Sequence, residues 1–241
     1  VGAEPQLALT WRHRARVAMQ DGNRPLARQL IERALAVFEA RRDETEIVAT
    51  LAVLSTLLER GDGREDVLTR ALSIAERIGD EDQLARLLHA QGDGRFGEGD
   101  FAGASRSYER AEPIYARRGD DEGLGRIWTS LGRLNRAHGR HEEALAYFRR
   151  AHTALARAGD QQGVIQAVNA TATALDNLGR ADEARAEYER ALALARDAGA
   201  ARMVNFQRGN LGGHHLRQGD FVRAIDLLAE SAAQESSPTI R

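Results

Sequence analysis

The chain repeats itself every 40 residues. Gly79, Gly119, Gly159 and Gly199 keep this step, as do Gly99, Gly139, Gly179 and Gly219, and Ala104, Ala144, Ala184 and Ala224. Ala71, Ala111, Ala151 and Ala191 follow it too, each preceded by arginine (Arg70, Arg110, Arg150, Arg190). Three residues before each of those alanines stands a large side chain: Leu68, Tyr108, Phe148 and Tyr188. A unit this short cannot bury its own apolar face. Neighbouring units must stack to make a continuous core.

Each unit reads as two helices. In residues 121–159, Leu124, Ile127, Trp128, Leu131 and Leu134 recur at three- and four-residue steps, the mark of an amphipathic helix. Gly139 ends it from the C′ position. The second helix starts near His141, with Glu142 and Glu143 well placed in its first turn. Ala144, Tyr147, Phe148, Ala151 and Leu155 form its buried face, Gly159 closes it, and Asp160 caps the helix that follows. Units run over 8–44, 45–84, 85–124, 125–164, 165–204 and 205–235 as one array, with a polar tail at 236–241. The second is the least regular, its turn at Gly61 to Gly63 falling two residues short. Sparse aromatics (5%) and four prolines suit helix throughout.

Trp128, Leu131, Gly132, Gly139, Ala144, Phe148 and Ala151 stand at the spacings of a tetratricopeptide repeat, and the unit resembles that family. Thr171, Ala172, Gly179, Ala184, Tyr188 and Ala191 match in the next unit, then Leu211, Gly212, Gly219, Ala224 and Leu228. The first unit matches through Trp11, Ala15, Gly22, Ala27, Ile31 and Ala34. The family's usual period is 34. The longer period and the Gly-Asp hinge resemble repeats of kinesin light chain, of Leu-Gly-Asn-type adaptors, of bacterial Rap-type sensors, and arrays linked to bacterial regulators or caspase-like proteases. The resemblance implies an all-α fold, a right-handed α-solenoid of about six helical hairpins with first helices lining a concave groove. It implies a non-catalytic protein- or peptide-binding scaffold.

Other chemistries find little support. "QGDGRFGEGDF" at 91–101 contains Gly92, Gly94 and Gly97 in G-x-G-x-x-G order, but helical sequence precedes it where a dinucleotide site needs a strand. Gly92 and Gly99 have counterparts in other units. Gly94 and Gly97 do not, which marks the third unit as the array's flexible point. All 34 basic residues are arginine, which excludes a Walker lysine and fits a GC-rich bacterial coding sequence. There is no cysteine. His138 and His141 straddle a turn, and the neighbours His214 and His215 are read as surface residues, not ligands. No enzyme, metal site or cofactor is expected. A net charge of −2 gives no pull towards nucleic acid or membrane. The aromatics at repeat positions, Trp11, Trp128, Tyr108, Phe148 and Tyr188, are read as core. A cytoplasmic protein is expected, and valine at position 1 is read as the start of an excised piece.

In the family's groove, side chains two, five, nine and twelve places into a unit face the ligand. That resemblance assigns Arg86 and His89 in unit three, Arg126, Thr129, Arg133 and Arg136 in unit four, and Asn169, Thr173 and Asp176 in unit five, with Asp93, Phe96, Gln166, Phe206 and Arg217 in the same frame. Asn169 and Asn210 match the family's groove asparagines, which hold a peptide backbone. The arginine stripe suits carboxylates, so an acidic or acid-terminated peptide is the expected partner, from another protein or another domain of the same parent chain. End-to-end homo-oligomerisation is the alternative.

Overall fold

The computed structural model describes residues 3–58 and 62–235. Gly61 and the 236–241 tail lie outside the described residues. Twelve α-helices and no strand are found among the described residues. They divide into two units, residues 1–115 and 116–241. The first holds α1 (Ala3–Gln20), α2 (Arg24–Arg41), α3 (Glu44–Leu57), α4 (Arg64–Ile78), α5 (Glu81–Glu98) and nearly all of α6 (Phe101–Arg118). The second holds α7 (Asp121–Ala137), α8 (His141–Ala158), α9 (Gln161–Asn177), α10 (Ala181–Asp197), α11 (Ala201–Arg217) and α12 (Phe221–Glu235). Each is a stack of helical hairpins, α2 meeting α3 and α4 meeting α5 in one, α8 meeting α9 and α10 meeting α11 in the other. From the third hairpin on, the hairpins begin about four residues ahead of the sequence frame.

The long period has a local cause. Helices of 17 and 18 residues are joined by links of two or three. The link is compact because two residues finish one helix and start the next. Gly159, at φ 73°, donates to Ala156 O, and Asp160 N donates to Leu155 O, closing the last turn of α8. The Asp160 carboxylate then accepts from Gly163 N at 2.9 Å and caps α9. Asp80, Asp100, Asp120 and Asp220 do the same for their helices.

The glycine repeated in α5, α7 and α11 is a packing residue. A Cβ on Gly132 would stand 2.4 Å from Phe148 Cε1, and one on Gly92 2.4 Å from Tyr108 Cε1. The aromatic ring of the second helix lies where that side chain would be. Around it, Ala144, Leu145, Phe148, Ile165, Leu175, Tyr188 and Leu211 make one buried cluster through the second unit. The tryptophans are less buried than the sequence suggested. Trp11 and Trp128 are both half-buried, and the Arg150 guanidinium covers the Trp128 ring at 4.1 Å.

Helix α5 continues unbroken through Gly92, Gly94 and Gly97 to Glu98. The stretch is therefore a helix and not a phosphate loop. Its glycines still weaken it. An added Cβ at Gly94 meets only Arg64, at 3.7 Å, an ordinary contact. Gly94→Ala is therefore expected to stabilise the first unit by up to about 1 kcal/mol. Amides of residues 94–98 are expected to exchange faster than those of 134–137 in α7. Equal rates would show that the glycines do not loosen α5.

Candidate functional site

In the second unit, the first helices of three successive hairpins enclose an open cavity of about 510 Å³, within the range of ligand sites. Helix α7 contributes Thr129, Arg133 and Arg136 one to two turns apart, and α9 contributes Gln166, Asn169, Ala170 and Thr173. From α11 come Arg202, Met203, Phe206 and Gln207, and Phe148 completes the wall. The lining thus holds three guanidinium groups and no carboxylate. Among the described residues, Arg136 and Arg202 have no acidic partner. Phe206 is 62% exposed, an aromatic ring presented to solvent at the rim.

The two expected asparagines meet here. Asn210 Nδ2 donates to Asn169 Oδ1 at 2.8 Å, which occupies the Asn169 oxygen and leaves its amide nitrogen as the donor at the wall. Thr129 donates to Gly125 O and Thr173 to Asn169 O, each bonding back to its own helix. The two threonine oxygens are left as acceptors, and the donors of the lining include the three guanidinium groups and the Asn169 amide nitrogen, which suit a ligand rich in acceptors.

Other expected site residues lie elsewhere. Arg126 is not in the wall and pairs with Glu122 one turn back. Arg86 lines a separate cavity of about 510 Å³ in the first unit with Arg12, Arg16 and Gln83. There Arg86 pairs with Asp82 and Arg12 with Glu46. His89, also in the first unit, packs edge-on against the Tyr108 ring at 5.9 Å, with its Nε2 3.6 Å from Asp93.

Asp176 corrects the sequence reading. Its carboxylate is 7% exposed and is held by His214 Nδ1, 2.8 Å away, and by the Arg217 guanidinium. A carboxylate so occupied holds α9 to α11 and is not available to a peptide. The adjacent histidines are a second correction. His214 and His215 are only 2% and 5% exposed, because α11 is packed by α10 on one side and α12 on the other. Their rings lie 5.6 Å apart, and His214 also meets the Tyr188 ring. The Tyr188 hydroxyl donates to Thr173 Oγ1 at 3.2 Å, since the Thr173 proton goes to Asn169 O, and burial raises the pKa of its phenol. His138 is exposed and His141 half-buried.

Burial also lowers the pKa of His215. His214 and Arg223 push the same way, against Asp220 and Glu189. The folded state then takes up this proton less readily than the unfolded chain does. Stability from this group is flat above about pH 6.5 and falls as pH drops below that value. The expected result is a lower Tm at pH 5.5 than at pH 7.5, with a smaller drop in His215→Gln. An equal drop in both proteins would assign the effect to other groups.

No helix among the described residues is long and apolar enough to cross a membrane. They contain no cluster of three or more His, Cys, Asp or Glu able to hold a metal ion.

Family models of the tetratricopeptide repeat match residues 123–198 and 169–238. No curated protein matches the sequence. Among solved structures, BtubC from P. vanneervenii is similar over 100% of this chain and 96% of its own, at 20% identity and a TM-score of 0.72. A signal transduction ATPase with numerous domains from Pyrococcus horikoshii, with a tetratricopeptide repeat sensor, matches 96% of this chain at 15% identity and a TM-score of 0.77. The chain spans 36% of that protein. A Rap protein complexed with competence and sporulation factor matches 92% at 18% identity and a TM-score of 0.75, and the chain spans 61% of it. These likenesses are of fold. Repeats of this kind support a protein-interaction scaffold, and their fold is typically non-catalytic. Over residues 123–238 the chain is made of tetratricopeptide repeats.

Proposed function

We propose that the second unit is a peptide-binding module that takes an acidic or acid-terminated segment into the cavity between α7, α9 and α11. The observation that carries this reading is the lining itself: Arg133, Arg136 and Arg202 around one cavity with no acidic side chain in its wall. Guanidinium forks fit carboxylates in two-point fashion. Met203 and Phe206 add an apolar strip for a neighbouring side chain. The first-unit cavity fits this role less well, since two of its arginines are already paired. The module would serve as the interaction or sensory arm of a larger cytoplasmic bacterial regulator. Its likeness to the Rap and ATPase structures favours that role.

Selection of displayed random heptapeptides on the whole chain tests this. The wild type is expected to enrich Asp- and Glu-containing peptides, and Arg133→Glu/Arg136→Glu to lose that preference while keeping its helicity. The same peptides enriched on both proteins would overturn the reading.

End-to-end pairing of copies is a second reading, favoured by α12. Phe221, Val222 and Ile225 are 61%, 73% and 65% exposed, while Leu145, the counterpart of Ile225 two repeats earlier, is 2% exposed. Sedimentation velocity across a hundredfold concentration range separates the two readings. Concentration-dependent mass abolished by Ile225→Glu supports pairing, and a constant monomer mass rules it out.

A further inference from the structure

One residue of this cavity breaks the repeat. The core column of the first helices reads Leu87, Ile127, Ala167 and then Gln207. The first three are fully buried apolar side chains, 1%, 0% and 0% exposed. Gln207 is as buried as they are, at 1%. Its Oε1 accepts from Asn210 Nδ2 at 3.5 Å. Its Nε2 has no hydrogen-bond partner among the described residues, although the side chain lines the cavity. A buried donor left unmade is costly to a fold, and native proteins keep few of them. An apolar residue would fill this place at no such cost, as the other repeats show.

We infer that Gln207 is a specificity-determining residue whose Nε2–H donates to a main-chain carbonyl of a peptide lying along α11. The inference rests on the peptide-binding reading of the cavity and names what that reading leaves open. The donor is neutral and almost wholly shielded. Bringing a carboxylate to it would strip that group of water with no cation alongside. A peptide carbonyl brings a neutral acceptor and no net charge. The charged end of the ligand then belongs with Arg133 and Arg136, which are exposed and solvated. Division of labour follows: arginines read the acid, Gln207 reads the backbone, and Phe206 takes an apolar side chain. An extended segment satisfies all three, whereas a small inorganic anion satisfies only the first.

The probe is the acidic heptapeptide enriched on the wild type, fluorescein-labelled and titrated by anisotropy. Gln207→Leu and the closer isostere Gln207→Met are expected to bind it about tenfold more weakly. Both are expected to raise Tm, by about 4 °C, because the unmade donor is gone. Lower affinity with higher Tm is a combination that a merely structural glutamine does not give. Amide-to-ester scanning of the peptide adds a second readout. One position is expected to lose affinity on the wild type and to lose none on Gln207→Leu, because an ester carbonyl accepts more weakly.

The outcomes separate. If the acid preference depends on Arg133 and Arg136 while Gln207→Leu and Gln207→Met bind as tightly as wild type, the Gln207 inference is overturned and the cavity reading stands. If no ester position couples to Gln207, the result is the same. If the wild type enriches no acidic peptide, both fall together.

Discussion

Phe148→Ala is expected to lower the unfolding free energy by about 4 kcal/mol, the usual cost of removing a buried aromatic ring. Phe148 is fully buried in the main cluster of the second unit and packs where a Cβ of Gly132 would be. For a chain of this size, that loss is a fall in Tm of about 8–16 °C. The contact with Gly132 makes a sharper test. In the wild type, Gly132→Ala forces the ring to move, and overpacking of about 1–3 kcal/mol outweighs the helix-propensity gain of about 1 kcal/mol. In the Phe148→Ala background the ring is absent, so the same substitution is expected to stabilise. A change of sign between the two backgrounds, measured by urea denaturation, is the prediction. An equal effect in both would mean that the glycine is not there to admit the ring. In the next hairpin this position is Ala172, buried in the same cluster as Tyr188.

The second large effect is at Asp176. Its carboxylate is the shared partner of His214 and Arg217. Removing it leaves the buried His214 without its hydrogen-bond partner, typically at about 1–3 kcal/mol. Arg217 is 56% exposed and can turn to solvent, whereas His214 cannot. Asp176→Ala is therefore expected to cost about 2 kcal/mol. Asp176→Asn keeps an acceptor for His214 and is expected to lose about half as much. A loss under 1 kcal/mol for the alanine variant would show that the network carries little. Peptide affinity per folded molecule is expected to be unchanged in Asp176→Asn, since this carboxylate is spent on joining α9 to α11.

The hairpins were legible because the repeat marks their punctuation. Glycines at φ near 70° and capping aspartates fall at fixed positions, and each is a local event that needs no knowledge of the fold. Part of the candidate site came instead from the resemblance, through the family's groove frame. Counting along α7 and α9 reached Thr129, Arg133, Arg136, Asn169 and Thr173, which line one cavity. Arg202 and Gln207 were missed. The sequence frame opened the last unit near residue 205, whereas α11 begins at Ala201, so Arg202 fell outside the count. Gln207 sits in a core column that a reading for groove residues passes over, and its signal was the polar break after Leu87, Ile127 and Ala167. The histidines were misread because adjacent residues on a helix usually divide between core and solvent. In α11 the buried arc is wide enough for both, since helices cover it from two sides. Asp176 was placed in the groove by the same family frame. That frame could not show that His214 and Arg217, 38 and 41 residues later, would claim its carboxylate.

The claim that the second-unit cavity holds an acidic peptide is tested most directly by hydrogen exchange of the whole chain, with and without the enriched heptapeptide at saturation. Slowed exchange is expected in α9 and α11 around residues 166–173 and 202–210, with none of that protection in Arg133→Glu/Arg136→Glu. Protection confined to α8, α10 and α12, or unchanged by the double reversal, would place the peptide elsewhere and contradict the account.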